Sequence, residues 1–307
     1  MNTRVPPLVV IAGPTASGKS ALGIVLAQRT GGVIVNADSA QVYADLQVLS
    51  ARPTSEEMAG VEHRLFGHRD GALPCSAADW ASEAKTVVAE VQASGRLPIL
   101  VGGTGLYLRT LLDGIADVPS IDAAVRAEVR EADVRHNHQR LAMLDPAAAD
   151  RLHPNDTTRV ARALEVVLST GVPLKAWHQR THGGLRGAVD LFGVLTLGEE
   201  DTLNQRIDRR FEAMVAGGAL DEVAALLARG LSPTLPVMRA IGVPELARHL
   251  TGEAGIDEAI AAGQLATRQY AKRQRTWFRN QKLGIGAEAD LDFALRTLVA
   301  AAKERGC

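Results

Sequence analysis

Four short apolar runs punctuate the chain: LVVIAG at 8–13, VIVNAD at 33–38, LPILVGG at 97–103 and DLFGVLTL at 190–197. Each is nearly continuous in Val, Ile and Leu and is bounded by Gly, Pro or Asp. Runs without alternation predict strands covered on both faces, as in a parallel sheet with helices either side. Helical spacing follows the first three, over 19–30, 77–94 and 105–112, so the order is that of an α/β fold. Between residues 119 and 187 the pattern changes. DAAVRAEVREA and DTTRVARALEVVLSTG have helical spacing, no strand is evident, and Pro119 and the Gly-rich THGGLRG bracket the segment. After the fourth strand, DTLNQRIDRRFEAMVAGG and AIAAGQLATRQYAKRQRTWFRNQKLG predict closing helices.

Composition adds limits. The chain has 307 residues, 46% hydrophobic and 22% charged, enough to bury a large core. Its N-terminus, MNTRVPPLVVIAG, leads straight into a glycine loop and reads as a first strand, not a secretory signal. No apolar stretch approaches the roughly 18 residues of a membrane span, so a cytoplasmic protein is expected. Cys75 and Cys307 are the only cysteines, which excludes a disulfide framework, and no Cys pair is spaced for zinc. The net charge of −1 means that any attraction to nucleic acid must come from local clusters of Lys and Arg.

The sharpest chemical signal is GPTASGKS at 13–20. Gly13, Gly18, Lys19 and Ser20 satisfy the phosphate-loop pattern, with the strand before and helix after that the mechanism requires. Backbone amides of Gly13, Thr15, Ala16, Ser17 and Gly18 suit an anion, the helix start and Lys19 add positive charge, and Ser20 suits Mg²⁺. The expected fold is therefore α/β: a P-loop NTPase-like parallel sheet flanked by helices, from residues 1–118 and 188–307, with a small all-helical insertion at 119–187. The loop does not name its ligand. Nucleotide hydrolysis usually needs an Asp ending another core strand, yet here that strand ends in Gly102, Gly103 and Thr104. The carboxylate stands instead at Asp38, after the second strand, where it suits either the crevice beside the loop or a cap for a following helix.

Taken together, GPTASGKS, NADSAQVYADLQVLSARP, VGGTGLYLRTLLDG, HPNDTTRVARALEV and ATRQYAKRQRTWFR resemble the tRNA dimethylallyltransferase family, bacterial type, in order and over nearly the whole chain. The resemblance implies transfer of a dimethylallyl group from dimethylallyl diphosphate to N6 of the adenosine 3′ of the anticodon, with the loop holding the leaving diphosphate. Asp38 would be the base that takes the N6 proton, and Lys19, Thr104 and Arg210 would stabilise the departing charge. Arg206 and Arg210, four apart on one helix face, are both candidate diphosphate ligands. The resemblance places Asp38, Ser39, Ala40, Gln41 and Thr104 against the extruded base, and Arg126, Arg159 and Arg162 of the insertion against the anticodon stem-loop.

Arg268, Lys272, Arg275 and Arg279 fall on one stripe of the last basic helix, with Lys282 just beyond and Arg273 beside it. With the resemblance they are expected to contact tRNA, and Tyr270, Trp277 and Phe278 either stack on bases or enter the core. Two departures stand out. Val243 and Pro244 replace an aromatic and a basic residue of many relatives, and Arg52 replaces a lysine. HRD at 68–70 imitates a kinase loop without its other parts. Rival readings are a cytokinin-type adenine-nucleotide prenyltransferase, a P-loop metabolite kinase and a non-catalytic RNA-binding protein. Nothing in the sequence demands more than a monomer.

Overall fold

The computed structural model describes residues 5–281 and 283–307; Lys282 of the basic stripe lies outside them. Its strands are β1 (Pro7–Ala12), β2 (Val33–Asn36), β3 (His63–Arg64), β4 (Pro98–Gly102), β5 (Ile115–Ala116), β6 (Thr181–His182), β7 (Asp190–Leu195) and β8 (Gly286–Ala287). Six of them form one sheet in the order β3-β2-β4-β1-β7-β8, and every pairing is parallel. The four long strands are the four apolar runs. The two-residue strands at the sheet edges lack enough sequence to signal themselves.

Alternation along β1 explains why these strands look continuously apolar. Leu8, Val10 and Ala12 enter one core with Val33, Val35, Trp80 and Phe211. Val9 and Ile11 enter the opposite core with Leu22, Leu26, Ile99 and Leu298. Successive side chains of a strand point to opposite faces, so a sheet covered twice needs apolar residues at both parities. The chain divides into two units: residues up to Leu112 together with Leu185 onward, and Asp113–Gly184.

The second unit has its own small core, including Val129, Leu141, Val160 and Leu164. Asp122, Asp133, Asp145 and Asp156 each accept first-turn amides at a helix start, so the sequence repeats one capping device. The unit is not purely helical. β5 pairs antiparallel with β6 near its two ends, which moves the division from the expected 119–187 to Asp113–Gly184.

The C-terminal edge of the sheet is shaped by Trp80 on the helix Ala77–Ala93. Its indole Nε1 donates to the Asn36 carbonyl at 2.9 Å, and its ring stacks on Tyr107 with centroids 4.6 Å apart. Both groups are buried, so the bond fixes the end of β2. Trp80→Phe leaves that carbonyl short of a donor; we expect a loss of about 1–3 kcal/mol of stability, measured by urea denaturation.

Candidate functional site

β1 delivers Gly13 to the C-terminal edge of the sheet, and the helix Lys19–Thr30 starts six residues on. Gly18 precedes that helix with φ of 84°, and a Cβ there would lie 2.5 Å from Leu291. Only glycine meets both conditions. No side chain caps the helix start, which keeps its dipole end open to an anion.

The loop is braced from several sides. Ser17 is buried, and its hydroxyl pairs with that of Thr196 at 2.7 Å. The Thr15 amide donates to Gln274 Oε1 at 2.9 Å, while Gln274 Nε2 donates to the Gly103 carbonyl at 2.8 Å. Gln274 thereby ties the phosphate loop to the loop after β4. A Cβ on Gly103 would meet Gln274 Nε2 at 2.3 Å, so glycine at 103 is what admits this bridge. Lys19 Nζ donates to the Pro14 carbonyl at 3.1 Å, and Arg210 donates to the Thr15 hydroxyl. Ala16 sits in the left-handed region, and the Ser20 side chain is exposed at the helix start.

Asp38 lies two residues past β2. Its amide donates to Asn36 Oδ1 at 2.8 Å, and Asn36 Nδ2 returns a bond to the Asp38 carbonyl at 2.9 Å. One carboxylate oxygen accepts the Ala40 amide at 3.0 Å. No helix lies between β2 and β3, so a helix-capping role for Asp38 is removed. The carboxylate instead lines a cavity of about 370 Å³, together with Ser39, Ala40, Thr15 and Arg210. Thr104 follows β4 and meets the loop that carries Asp38. Its hydroxyl accepts the Ser39 amide at 2.9 Å and donates to Ser39 Oγ at 3.2 Å, so in this structure it holds the residue beside the acid.

Electrostatics join these parts. Burial lowers the Lys19 ammonium to about 8, opposed by the Asp38 carboxylate and reinforced by Arg210. Burial also lowers the Arg210 guanidinium, with Asp38 again opposing. Burial raises the Tyr270 phenol, and the field of Asp38 adds to it. Away from this charged group, Leu46, Leu49, Ile207, Phe211, Met214 and Ile241 supply apolar wall. These, with Gln274, are the site residues that sequence reasoning missed; Tyr270, expected to stack on bases or enter the core, lines the cavity. Ile207, Phe211 and Met214 lie on the Arg210 face of one helix, a spacing that was available to find them.

Other sequence candidates fall elsewhere. Arg206 is exposed and does not line the cavity, whereas Arg210 does. Gln41 Nε2 donates to the carbonyls of Ser50 and Ala51, both at 2.9 Å, so its two donors are spent inside its own loop. Arg52 likewise braces that loop through the carbonyls of Leu46 and Ala44. Arg275 corrects the basic-stripe expectation: it is buried and ion-paired with Glu200 at 2.6 Å, and Arg268 pairs with Asp208. Lys272, Arg273 and Arg279 are exposed on the same helix, Ile256–Asn280, and of these Arg273 does line the cavity. Phe278 is core, and Trp277 packs on Gly105. In the second unit Arg126 and Arg159 are exposed, and Arg162 sits 3.9 Å from buried Glu165. Val243 is buried in the core, and Pro244, exposed, stands in the first turn of a helix. His68, Arg69 and Asp70 are all consumed by ion pairs with Glu83 or Arg229.

The parallel sheet, with a GPTASGKS loop between β1 and the following helix and Asp38 at a cavity beside it, defines an α/β protein of the P-loop type. Residues 41–281 match the family model described as IPP transferase. The chain is 62% identical over 275 residues to the tRNA dimethylallyltransferase of Sphingopyxis alaskensis, covering 89% of this chain and 90% of that one. It is 56% identical over 281 residues to that of Erythrobacter litoralis, covering 90% and 89%. Among solved structures it is similar to the tRNA isopentenylpyrophosphate transferase of Bacillus halodurans, with 34% identity, 98% of both chains covered and a TM-score of 0.70. A eukaryotic dimethylallyltransferase acting on tRNA gives a TM-score of 0.79 at 29% identity, over 94% of this chain and 75% of that one. The chain belongs to the IPP transferase family. Among the described residues no helix is long and apolar enough to cross a membrane.

The Lys19 shift has two consequences of opposite sign. Below about pH 8 the folded protein bears the full cost of a buried ammonium; as pH rises from about 8 toward the ordinary 10.5, the unfolded chain holds a proton the folded one has released, and stability from this group increases. Anion binding, which wants the ammonium charged, weakens over the same window. We expect the dissociation constant for inorganic pyrophosphate, measured by calorimetry, to rise more steeply between pH 7 and pH 9.5 in the wild type than in Lys19→Arg. Equal slopes would remove Lys19 from the anion site.

Proposed function

We propose that the chain transfers the dimethylallyl group of dimethylallyl diphosphate to N6 of the adenosine immediately 3′ of the anticodon of tRNA, position 37, and releases diphosphate. The observation that carries the proposal is that Asp38, Arg210 and Thr15 of the phosphate loop line the same cavity as an apolar stretch made by Leu46, Leu49, Ile207, Phe211, Met214 and Ile241. That apolar stretch fits a donor with an alkyl tail beside its diphosphate. An adenine amino group is a weak nucleophile, because its lone pair is delocalised into the ring. Attack on the allylic carbon proceeds with loss of the N6 proton, and Asp38 is the carboxylate positioned to accept it. As the carbon–oxygen bond breaks, charge builds on the diphosphate. Lys19, Arg210 and the loop amides meet that charge, and stabilise it more as it grows. Thr104 acts through Ser39, keeping the acid's loop in place.

Among the described residues no group of three or more His, Cys, Asp or Glu forms a metal cage. The Ser20 hydroxyl, exposed at the helix start, is the group of this chain that would hold Mg²⁺. Mg²⁺ would supply charge neutralisation of the leaving group. Because one chain lines the cavity, a monomer suffices, and cytoplasmic tRNA is the substrate pool. The target base must leave its stack to enter. Exposed Lys272, Arg273 and Arg279, with Arg126, Arg159 and Arg162 of the second unit, are the cations offered to the anticodon stem-loop. A free adenine nucleotide, the substrate of the cytokinin-type rival, would need none of them.

Incubation of the protein with dimethylallyl diphosphate, Mg²⁺ and unmodified tRNA is expected to yield N6-prenylated adenosine at position 37 by mass spectrometry; tRNA binding without product would refute the reading. Asp38→Asn should lower the rate of transfer by about 10²–10⁴ while tRNA affinity stays within about twofold.

Salt dependence separates exposed from buried cations. Lys272→Ala with Arg279→Ala should flatten the slope of log affinity against log salt by about 0.7–0.9 per lost phosphate contact. Arg275→Ala should leave that slope alone and instead reduce stability, because it strips Glu200 of its partner.

A further inference from the structure

The segment between Asp38 and β3 has no helix or strand, yet six of its residues line the cavity, Leu46, Leu49 and Ser50 among them. What holds them is a carboxylate from another part of the chain. Glu222, on the helix Leu220–Ala228, accepts the amides of Gln47, Val48 and Leu49: Oε1 takes the first two, Val48 at 2.8 Å, and Oε2 takes the third at 2.9 Å. Three successive amides converging on one anion form a nest. Such charge-assisted bonds are the stronger kind. The same helix ends at Arg229, which pairs with Asp45 and Asp70 and so grips the segment a second time.

Glu222 itself does not line the cavity. It follows a kink at Gly217 and Gly218, where non-helical backbone joins its helix to the one carrying Ile207, Arg210, Phe211 and Met214. One continuous stretch of chain therefore supplies the guanidinium and one apolar wall, and then reaches across to fix the facing wall. Leu49 is wedged further by Gly242, whose would-be Cβ lies 2.6 Å from it.

We infer that Glu222 is a positioning residue that sets the donor's chain-length selectivity by pinning Leu46 and Leu49 at the apolar wall of the cavity. The inference rests on the reading of the donor as an allylic diphosphate. Glu222→Gln tests it with little change of shape. The amide can still accept through one oxygen, but its NH₂ then faces the N–H of Leu49, so a hydrogen bond becomes a donor–donor opposition. Glu222→Asp keeps the charge and shortens the reach by one methylene.

The measurement is the ratio of kcat/KM for geranyl diphosphate to that for dimethylallyl diphosphate, with unmodified tRNA as acceptor. The expected ratio rises from wild type through Glu222→Asp to Glu222→Gln, by about tenfold at the last step, the order of discrimination that small changes in an apolar wall support. KM for dimethylallyl diphosphate should rise more than kcat falls. Leu298→Ala, in the core on the other face of the sheet, is the control for lost stability and should leave the ratio unchanged. If Glu222→Gln does not fold, the Glu222→Asp ratio alone decides. A ratio equal in all folded Glu222 variants and the wild type overturns the inference. A wild type inactive with both donors overturns the reading of the donor instead.

Discussion

Cations outnumber the one carboxylate of the cleft: Arg210, Arg239 and Arg273 line the cavity with Asp38, and Lys19 feels the field of the same acid, an imbalance that the rest of the structure serves. Lys19 and Arg210 are both pushed toward losing their protons by burial, and each is opposed by the same Asp38. A buried charge without a partner is costly. One acid cannot fully offset two bases. An anionic ligand relieves the excess, and a diphosphate relieves it better than a monoanion. The cleft is thus preorganised for the charged part of its substrate before any apolar contact is made.

Holding such charges together requires a scaffold that does not yield, and it comes from far along the chain. The helix Ile256–Asn280 is anchored by Ala271 and Phe278 in the core, and between them it presents Gln274 to the phosphate loop and to Gly103. One turn earlier it presents Tyr270 to the cavity. Arg273 lies over the Tyr270 ring, 5.7 Å from its centre. The bridge through a neutral amide has a physical advantage. Gln274 can accept from one loop and donate to the other at once, without adding a charge to a cleft already oversupplied with them.

Much of this was readable in advance, for reasons that differ by element. The four long strands announced themselves because both faces of the sheet are covered, and GPTASGKS because its spacing is tied to one backbone shape. Asp38 could be placed by the end of its strand, but its escape from a capping role could not, since Asp-Ser suits a helix start equally well. The basic stripe misled. Periodicity put Arg275 beside Lys272 and Arg279 but said nothing of Glu200, which arrives from 75 residues away. Gln274 and Glu222 were silent for the same reason: each acts through backbone groups distant in sequence, and no local pattern encodes a partner of that kind.

The pairing of Arg275 bears on how a chain of net charge −1 can meet a polyanion. Ion pairs such as Arg268 with Asp208 and Arg275 with Glu200 cancel locally and fasten the helix to its neighbour. They contribute field only at short range. Screening over roughly 8 Å at physiological ionic strength confines attraction for RNA to exposed cations that come close to its phosphates. On the proposed reading, affinity for tRNA then rests on a small set of exposed side chains, and the overall charge balance becomes an advantage. A surface attractive everywhere would hold any RNA, whereas a few isolated cations favour one whose phosphates match their spacing.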